Sequence, residues 1–118
     1  MRTLIIIVSF VLAALETGAA RAHAFLDHAS PLVGSTVHAA PHEVALWFTQ
    51  NLEPAFSSVE VTDASGASVD QGKTTVSANT MRIGLKALGS GTYKVRWHVL
   101  SVDTHTTEGA FTFHVGGP

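Results

Sequence analysis

The chain has 118 residues, of which 46% are hydrophobic and 14% charged, and it contains seven histidines and no cysteine. This length allows one domain and excludes a paired Rossmann unit or a (β/α)₈ barrel. A formal charge of −2 gives no basic surface for nucleic acid. Without cysteine there are no disulfides, thiolate metal sites or cysteine nucleophiles, so any chemistry must come from histidine, carboxylate and hydroxyl groups.

Residues 1–22 have the features of a secretory signal peptide. Arg2 supplies a short positive region, residues 4–15 are apolar throughout apart from one serine, and a segment of small residues follows. The apolar stretch is too short to make a comfortable transmembrane helix. We therefore expect an exported protein from which this segment is removed.

Two overlapping A-x-A cleavage sites end this segment, and they give different mature chains. Cleavage after Ala22 would release a chain that begins with His23. Cleavage after Ala24 would release one that begins with Phe25. The segment itself does not choose between the two sites.

Hydrophobic alternation at period two recurs along the rest of the chain and predicts an all-β domain. Turn-forming residues separate the alternating runs, which comprise residues 44–48, 58–62, 81–85, 93–99 and 111–115. Strands of this length and spacing predict an Ig-like sandwich or a Greek-key β-barrel of about seven antiparallel strands. We expect Trp47 and Trp97 in its core.

The side chains best suited to metal binding are Asp103 and His105, which share one side of an extended backbone. If His23 were the first residue, its α-amine and imidazole could close a chelate with the same ion. The three residues would then offer three nitrogens and one oxygen, a set that suits Cu(II). The spacing alone leaves another interpretation open, in which Asp103 is a turn carboxylate beside a solvated histidine.

Motifs along the whole processed chain resemble those of the CopC family of periplasmic copper-binding proteins. None of these motifs is specific alone, but their combination and order are. In chain order they are HAFL (23–26), SP (30–31), GS (34–35), Pro41, VALWF (44–48), GTYKVRW (91–97), Ser101, DTH (103–105), Gly109 and FTF (111–113).

The resemblance implies a seven-stranded Greek-key β-barrel that binds Cu(II) through His23, Asp103 and His105, with His23 contributing both amine and imidazole. It also implies cleavage after Ala22, because only that site exposes the histidine amine. The signal peptide would then be residues 1–22 and the copper-binding domain residues 23–118. The implied function is not enzymatic. It is that of a periplasmic Cu(II)-binding protein in copper homeostasis and resistance, with a CopD-type inner-membrane importer as its partner.

Two positions depart from the family pattern. Some members have a methionine-rich loop for Cu(I), but the equivalent stretch here, residues 62–73, contains neither methionine nor histidine. We therefore predict no Cu(I) site. Gln50 stands where relatives often have a glutamate, which predicts altered support for the ligands. His28 is the one further histidine that we consider as a spare ligand.

Two other functions stay open at this level. A copper mono-oxygenase of the histidine-brace type also begins with histidine on a β-sandwich, although this short chain leaves little room for a substrate platform. A metal-free Ig-like structural module is the other alternative. A serine hydrolase is not indicated, because the chain lacks a Gly-x-Ser-x-Gly elbow. The serines near His105 are expected to be ordinary loop residues.

Overall fold

The computed structural model describes residues 24–116, so His23 and the predicted signal peptide lie outside the described residues. Within this part of the chain, no helix is long and apolar enough to cross a membrane. A short 3₁₀ helix, Pro54–Phe56, separates the third strand from the fourth. The strands are β1 (Leu26–Ser30), β2 (Thr36–Val37), β3 (Glu43–Phe48), β4 (Ser58–Asp63), β5 (Asp70–Ser77), β6 (Thr80–Leu85), β7 (Gly91–Leu100) and β8 (Thr106–Val115).

The strands form two four-stranded sheets with the hydrophobic core between them. Sheet 1 has the order β1-β3-β6-β5, and sheet 2 has the order β2-β8-β7-β4. Neighbouring strands are antiparallel except for β2, which pairs with β8 in parallel over two residues. The prediction of an all-β, Ig-like sandwich is therefore confirmed.

The alternative of a closed barrel is wrong, because the two sheets keep separate edges. Strands β4 and β5 follow one another in the chain and lie at neighbouring edges. They are linked largely by side chains: the buried Asp70 carboxylate accepts a hydrogen bond from the Val61 N–H at 2.8 Å, and the Thr74 hydroxyl accepts one from the Val59 N–H at 3.3 Å. These contacts satisfy backbone donors at an edge without a continuous strand ladder.

The core forms where the inward positions of the two sheets meet. Each alternating run predicted from the sequence lies within a strand, whereas no run covers β1, β2 or β5. Trp97 is buried and meets the Phe48 ring edge-on, with centroids 5.2 Å apart. The largest fully buried apolar side chains are Phe48, Phe113, Leu46, Met81, Ile83, Val44, Val61, Val95 and Val99.

The placement of Trp47 in the core was wrong. Its neighbours Leu46 and Phe48 point inward and are buried, so the strand alternation turns Trp47 to the outer face of sheet 1. There it is half-buried. Met81, by contrast, is fully buried, as its place in the alternating pattern of β6 predicted.

Candidate metal centre

The loop between β7 and β8, residues 101–105, brings two of the three predicted ligands together. Asp103 Oδ1 lies 3.5 Å from His105 Nδ1. The side chains are 38% and 46% exposed, respectively. An ion could therefore reach both from solvent at this end of the sandwich.

Ser101 holds this loop in place from its buried side. It is fully buried, its hydroxyl donates to Asp103 Oδ1, and the same oxygen accepts a hydrogen bond from the His105 N–H at 3.3 Å. The expectation that it is an ordinary loop residue was wrong. A signal for its role exists in the sequence, because Ser101 continues the inward-facing series that ends with Val99, and a buried hydroxyl needs partners.

The Asp103 carboxyl is held in its charged form. The hydrogen bond from Ser101 lowers its pKa below the ordinary value, partial desolvation opposes this, and the adjacent His105 ring lowers it further. A carboxylate that is ionised at neutral pH accepts hydrogen bonds and metal ions without first losing a proton.

The tip of the loop is backbone-strained. Thr104 has a φ of 72°, in the left-handed region where a β-branched residue is an outlier. Its N–H donates to the Ser101 carbonyl at 2.9 Å, which closes the turn. Strain of this kind persists only where surrounding contacts impose it, and it concentrates at functional loops.

The beginning of the described chain is fixed at this same end. Ala24 is fully buried, and its carbonyl accepts a hydrogen bond from Thr107 Oγ1 at 2.6 Å. The Phe25 N–H donates to Thr49 Oγ1 at 2.9 Å, and the Thr49 N–H donates back to the Phe25 carbonyl at 2.9 Å. Thr107 is two residues from His105, so Ala24 lies beside the strand that follows the candidate site.

The segment that contains Gln50 also borders the loop. Gln50 follows Thr49, which is hydrogen-bonded to Phe25. It precedes Asn51, whose carbonyl accepts a hydrogen bond from the Val102 N–H at 3.0 Å. The next residue, Leu52, forms a β-bridge with Ser101. Gln50, the position that departs from the family pattern, therefore lies between a residue bonded to Phe25 and a residue bonded to Val102 of the loop.

The structure does not bring His28 to this loop. Its ring is stacked on Trp47 with centroids 4.4 Å apart, and its Nδ1 lies 2.7 Å from Asp27 Oδ2. Within residues 24–116, no group of three or more histidine, cysteine or acidic side chains could hold a metal ion. The third predicted ligand, His23, lies outside the described residues.

These features define a small two-sheet β-sandwich with an exposed, preorganised Asp-x-His loop at one end. Residues 26–116 match the CopC domain model. Protein YobA of Escherichia coli strain K12 is 35% identical over 86% of this chain and 85% of its own length. Copper resistance protein C of Xanthomonas campestris pv. juglandis is 32% identical over 97% of this chain and 96% of its own.

A solved structure agrees with these relatives. The crystal structure of CopC from Methylosinus trichosporium OB3b matches with a TM-score of 0.71 at 35% identity, over 80% of this chain and 95% of that one. The chain belongs to the CopC family. The resemblance drawn from the sequence motifs is thereby confirmed.

Proposed function

We propose that this protein is a periplasmic Cu(II)-binding protein that acts in copper homeostasis and resistance. In this proposal His23, Asp103 and His105 are the ligands. Family membership supports a copper-related function, since relatives of similar length are named copper resistance protein C. The paired side chains of the β7–β8 loop support the location of the site.

The observation that carries the proposal is the hydrogen bond between Thr107 and the Ala24 carbonyl. It fixes the start of the described chain next to the strand that follows the Asp103–His105 loop. Residue 24 is thereby anchored beside this strand. The proposal assigns the third ligand to His23, the residue that precedes this anchor in the sequence.

The donor set favours Cu(II) over Cu(I). An α-amine, two imidazoles and a carboxylate are nitrogen and oxygen donors of the kind that suit tetragonal Cu(II), whereas Cu(I) prefers thiolate and thioether ligands. The protein would therefore hold copper while it is oxidised and release it on reduction or by ligand exchange. Protons compete for the amine and the imidazoles, so affinity should fall on acidification.

The proposal requires export and cleavage after Ala22. Only this cleavage leaves the α-amine on His23, which lets one residue supply two nitrogens. We accordingly assign residues 1–22 to the signal peptide and residues 23–118 to the copper-binding domain. As the receiving partner we propose a CopD-type inner-membrane importer, which the family resemblance suggested.

The test is a Cu(II) titration of the naturally processed protein, with its intact mass recorded and the bound copper examined by EPR. We expect a chain that begins at His23 and binds one equivalent of tetragonal Cu(II). His23→Ala should abolish tight binding, and His42→Ala, in the loop before β3, serves as the matched histidine control. A correctly processed chain that binds no copper above buffer competition would overturn the proposal.

The same preparation separates a carrier from an oxygenase. Ascorbate-driven peroxide formation, or cleavage of a polysaccharide, should not exceed that of an equal concentration of free copper. The proposed Asp103 ligand fills a position that an oxygen-activating centre would keep open. Activity well above the free-copper level would replace the carrier with a copper mono-oxygenase.

A further inference from the structure

Two threonines hold the first two described residues, Ala24 and Phe25. One threonine lies at the end of a strand of sheet 1, and the other lies within sheet 2. Thr49 directly follows β3 of sheet 1 and exchanges two hydrogen bonds with Phe25, both at 2.9 Å. Thr107 is in β8 of sheet 2 and donates to the Ala24 carbonyl at 2.6 Å across 83 residues of sequence. The Ala24 side chain is at the same time fully buried in the core. Residues 24–25 are therefore fixed by three hydrogen bonds and by packing.

We propose that Thr49 and Thr107 form a clamp that positions the N-terminal ligand and makes the copper site specific for one processing position. Neither threonine binds the metal in this proposal. Both act on the backbone that follows His23, and Thr107 is the positioning residue nearest to the loop. This inference rests on the proposed function, because it concerns how His23 reaches Asp103 and His105.

The clamp fixes the register of the chain as well as its path. The methyl group of Ala24 is in the core and its carbonyl accepts a hydrogen bond from Thr107, so the position of residue 24 is fixed. A chain that began at Phe25 would lose the acceptor of the Thr107 hydroxyl and leave the Ala24 cavity empty. A chain one residue longer would keep the clamp but would convert the His23 amine into a peptide nitrogen.

Fixing this segment before copper arrives removes an entropy cost from binding. A terminal ligand on a free segment must be ordered when the metal binds, whereas a clamped one is already placed. Partners that orient metal ligands without touching the metal typically contribute about 10- to 100-fold to affinity. We therefore expect a loss of this size when the Thr107 hydroxyl is removed.

The first experiment compares Thr107→Val, Thr107→Ser and Thr106→Val in processed chains that begin at His23. Thr107→Val keeps the shape of the side chain but removes the donor, and it should weaken Cu(II) binding by about 10- to 100-fold in a competition assay. Thr107→Ser restores the hydroxyl and should restore affinity. Thr106 is the exposed neighbouring residue of β8, so Thr106→Val controls for the loss of a threonine from this strand.

A second experiment distinguishes positioning from a general loss of stability. In a chain prepared with one extra alanine before His23, residue 23 no longer has an α-amine, so the clamp can position only the imidazole and no longer the two-nitrogen chelate. In that background Thr107→Val should cost much less affinity than in the natural chain, a non-additive result in a double-mutant cycle. In the copper-free protein, Thr107→Val should also speed hydrogen exchange at the Phe25 amide.

The outcomes are separable from those of the proposed function. If the unaltered chain binds no Cu(II), the proposed function and the clamp both fall. If it binds Cu(II) and Thr107→Val binds equally well, only the clamp is overturned. An equal loss in the natural and extended chains would also overturn it, because the hydroxyl would then act on the fold and not on the ligand.

Discussion

Among residues 24–116, two places bring an aspartate and a histidine into contact, and one of the two has the features of a metal site. On the outer face of sheet 1, Asp27 Oδ2 lies 2.7 Å from His28 Nδ1, and the histidine ring is stacked on Trp47 with an interplanar angle of 8°. In the β7–β8 loop, the separation between Asp103 Oδ1 and His105 Nδ1 is longer, at 3.5 Å.

The Asp27–His28 contact is the shorter of the two, but this pair is the weaker candidate for a metal site, because its polar atoms bind each other. Asp27 engages the Nδ1 atom of His28, and Trp47 covers one face of the ring. In the loop, a third residue, Ser101, holds the Asp103 carboxylate from the buried side. Metal ligands need to be oriented by neighbours that do not compete with the metal. The loop meets this condition, and the outer face of sheet 1 does not.

The sharpest test of this comparison replaces the two histidines, His105 and His28, one at a time and measures Cu(II) binding. His105→Ala should weaken Cu(II) binding by more than about 100-fold, because loss of a ligand exceeds the usual cost of losing a supporting residue. His28→Ala should leave the affinity unchanged. Competition against a chelator of known strength measures both variants, and circular dichroism checks their folding.

A comparable loss in His28→Ala would contradict the comparison. It would mean that His28 leaves Trp47 to bind copper, as the spare ligand considered from the sequence. Unchanged binding in His105→Ala would be equally damaging, since it would remove the loop from the site.

The second prediction concerns the two tryptophans, one in each sheet. Trp97, unlike Trp47, is buried, and it lies over Gly109 of β8. A Cβ at Gly109 would be 2.6 Å from Trp97 Cζ2, so Gly109→Ala must displace the ring or the strand. Overpacking of this kind costs about 1–3 kcal/mol, which chemical denaturation should detect.

Gly89→Ala is the matched control for this prediction. A Cβ at Gly89 would meet no atom within 4 Å, so stability should change little. If Gly109→Ala were as stable as the unaltered protein, Trp97 could move freely. The buried Trp97 would then be held no more rigidly than the half-buried Trp47.

The third prediction removes the residue that distinguishes the loop. Ser101→Ala should weaken Cu(II) binding about tenfold and destabilise the fold by about 1 kcal/mol, because the hydroxyl bonds to both Asp103 and the His105 backbone. Ser65→Ala is a matched control. There a serine hydroxyl donates to Asp63 Oδ1 at 2.6 Å in the same two-residue spacing.

The two serines also have the same electrostatic effect, so the control is a close one. Hydrogen bonds from Ser65 lower the pKa of the Asp63 carboxyl, as Ser101 does for Asp103. Affinity should nevertheless respond only to Ser101. A similar loss in both variants would show that the effect on copper is a general one of surface charge or stability.

The strands that could be predicted are those in which burial of one face produces alternating apolar and polar residues in the sequence. β7 and β8 alternate cleanly because one face of each contacts the core, and both were predicted. β5 was not predicted, because it is an edge strand with a largely exposed DQGKTTVS sequence and an irregular register between Asp70 and Thr74. Its stability comes from pairing with β6 and from side-chain contacts to β4, which local sequence does not encode.

The candidate site divides in a similar way. Asp103 and His105 stand out through residue type and spacing, so the sequence pointed to them. The role of Ser101 was missed although its place in the inward-facing series of β7 marks it as a buried hydroxyl with partners close in sequence. Thr107 did not stand out, because threonine is common and its role depends on a long-range contact. The Thr107 hydroxyl donates to the Ala24 carbonyl, 83 positions away in the sequence. These two residues come together only in the folded sandwich.

The smallest predicted effect is the loss of stability on replacing His28, on the outer face of sheet 1. His28→Ala should destabilise the protein by about 0.5–1 kcal/mol through loss of the aromatic stack, and it should change the fluorescence of Trp47. His28→Phe keeps a stacked ring without the Asp27 contact and should recover most of the stability. If it recovers none, the contact with Asp27 is what matters. If His28→Ala itself has no effect, Arg82, whose guanidinium carbon lies 5.5 Å from the Trp47 ring, is enough to hold the indole.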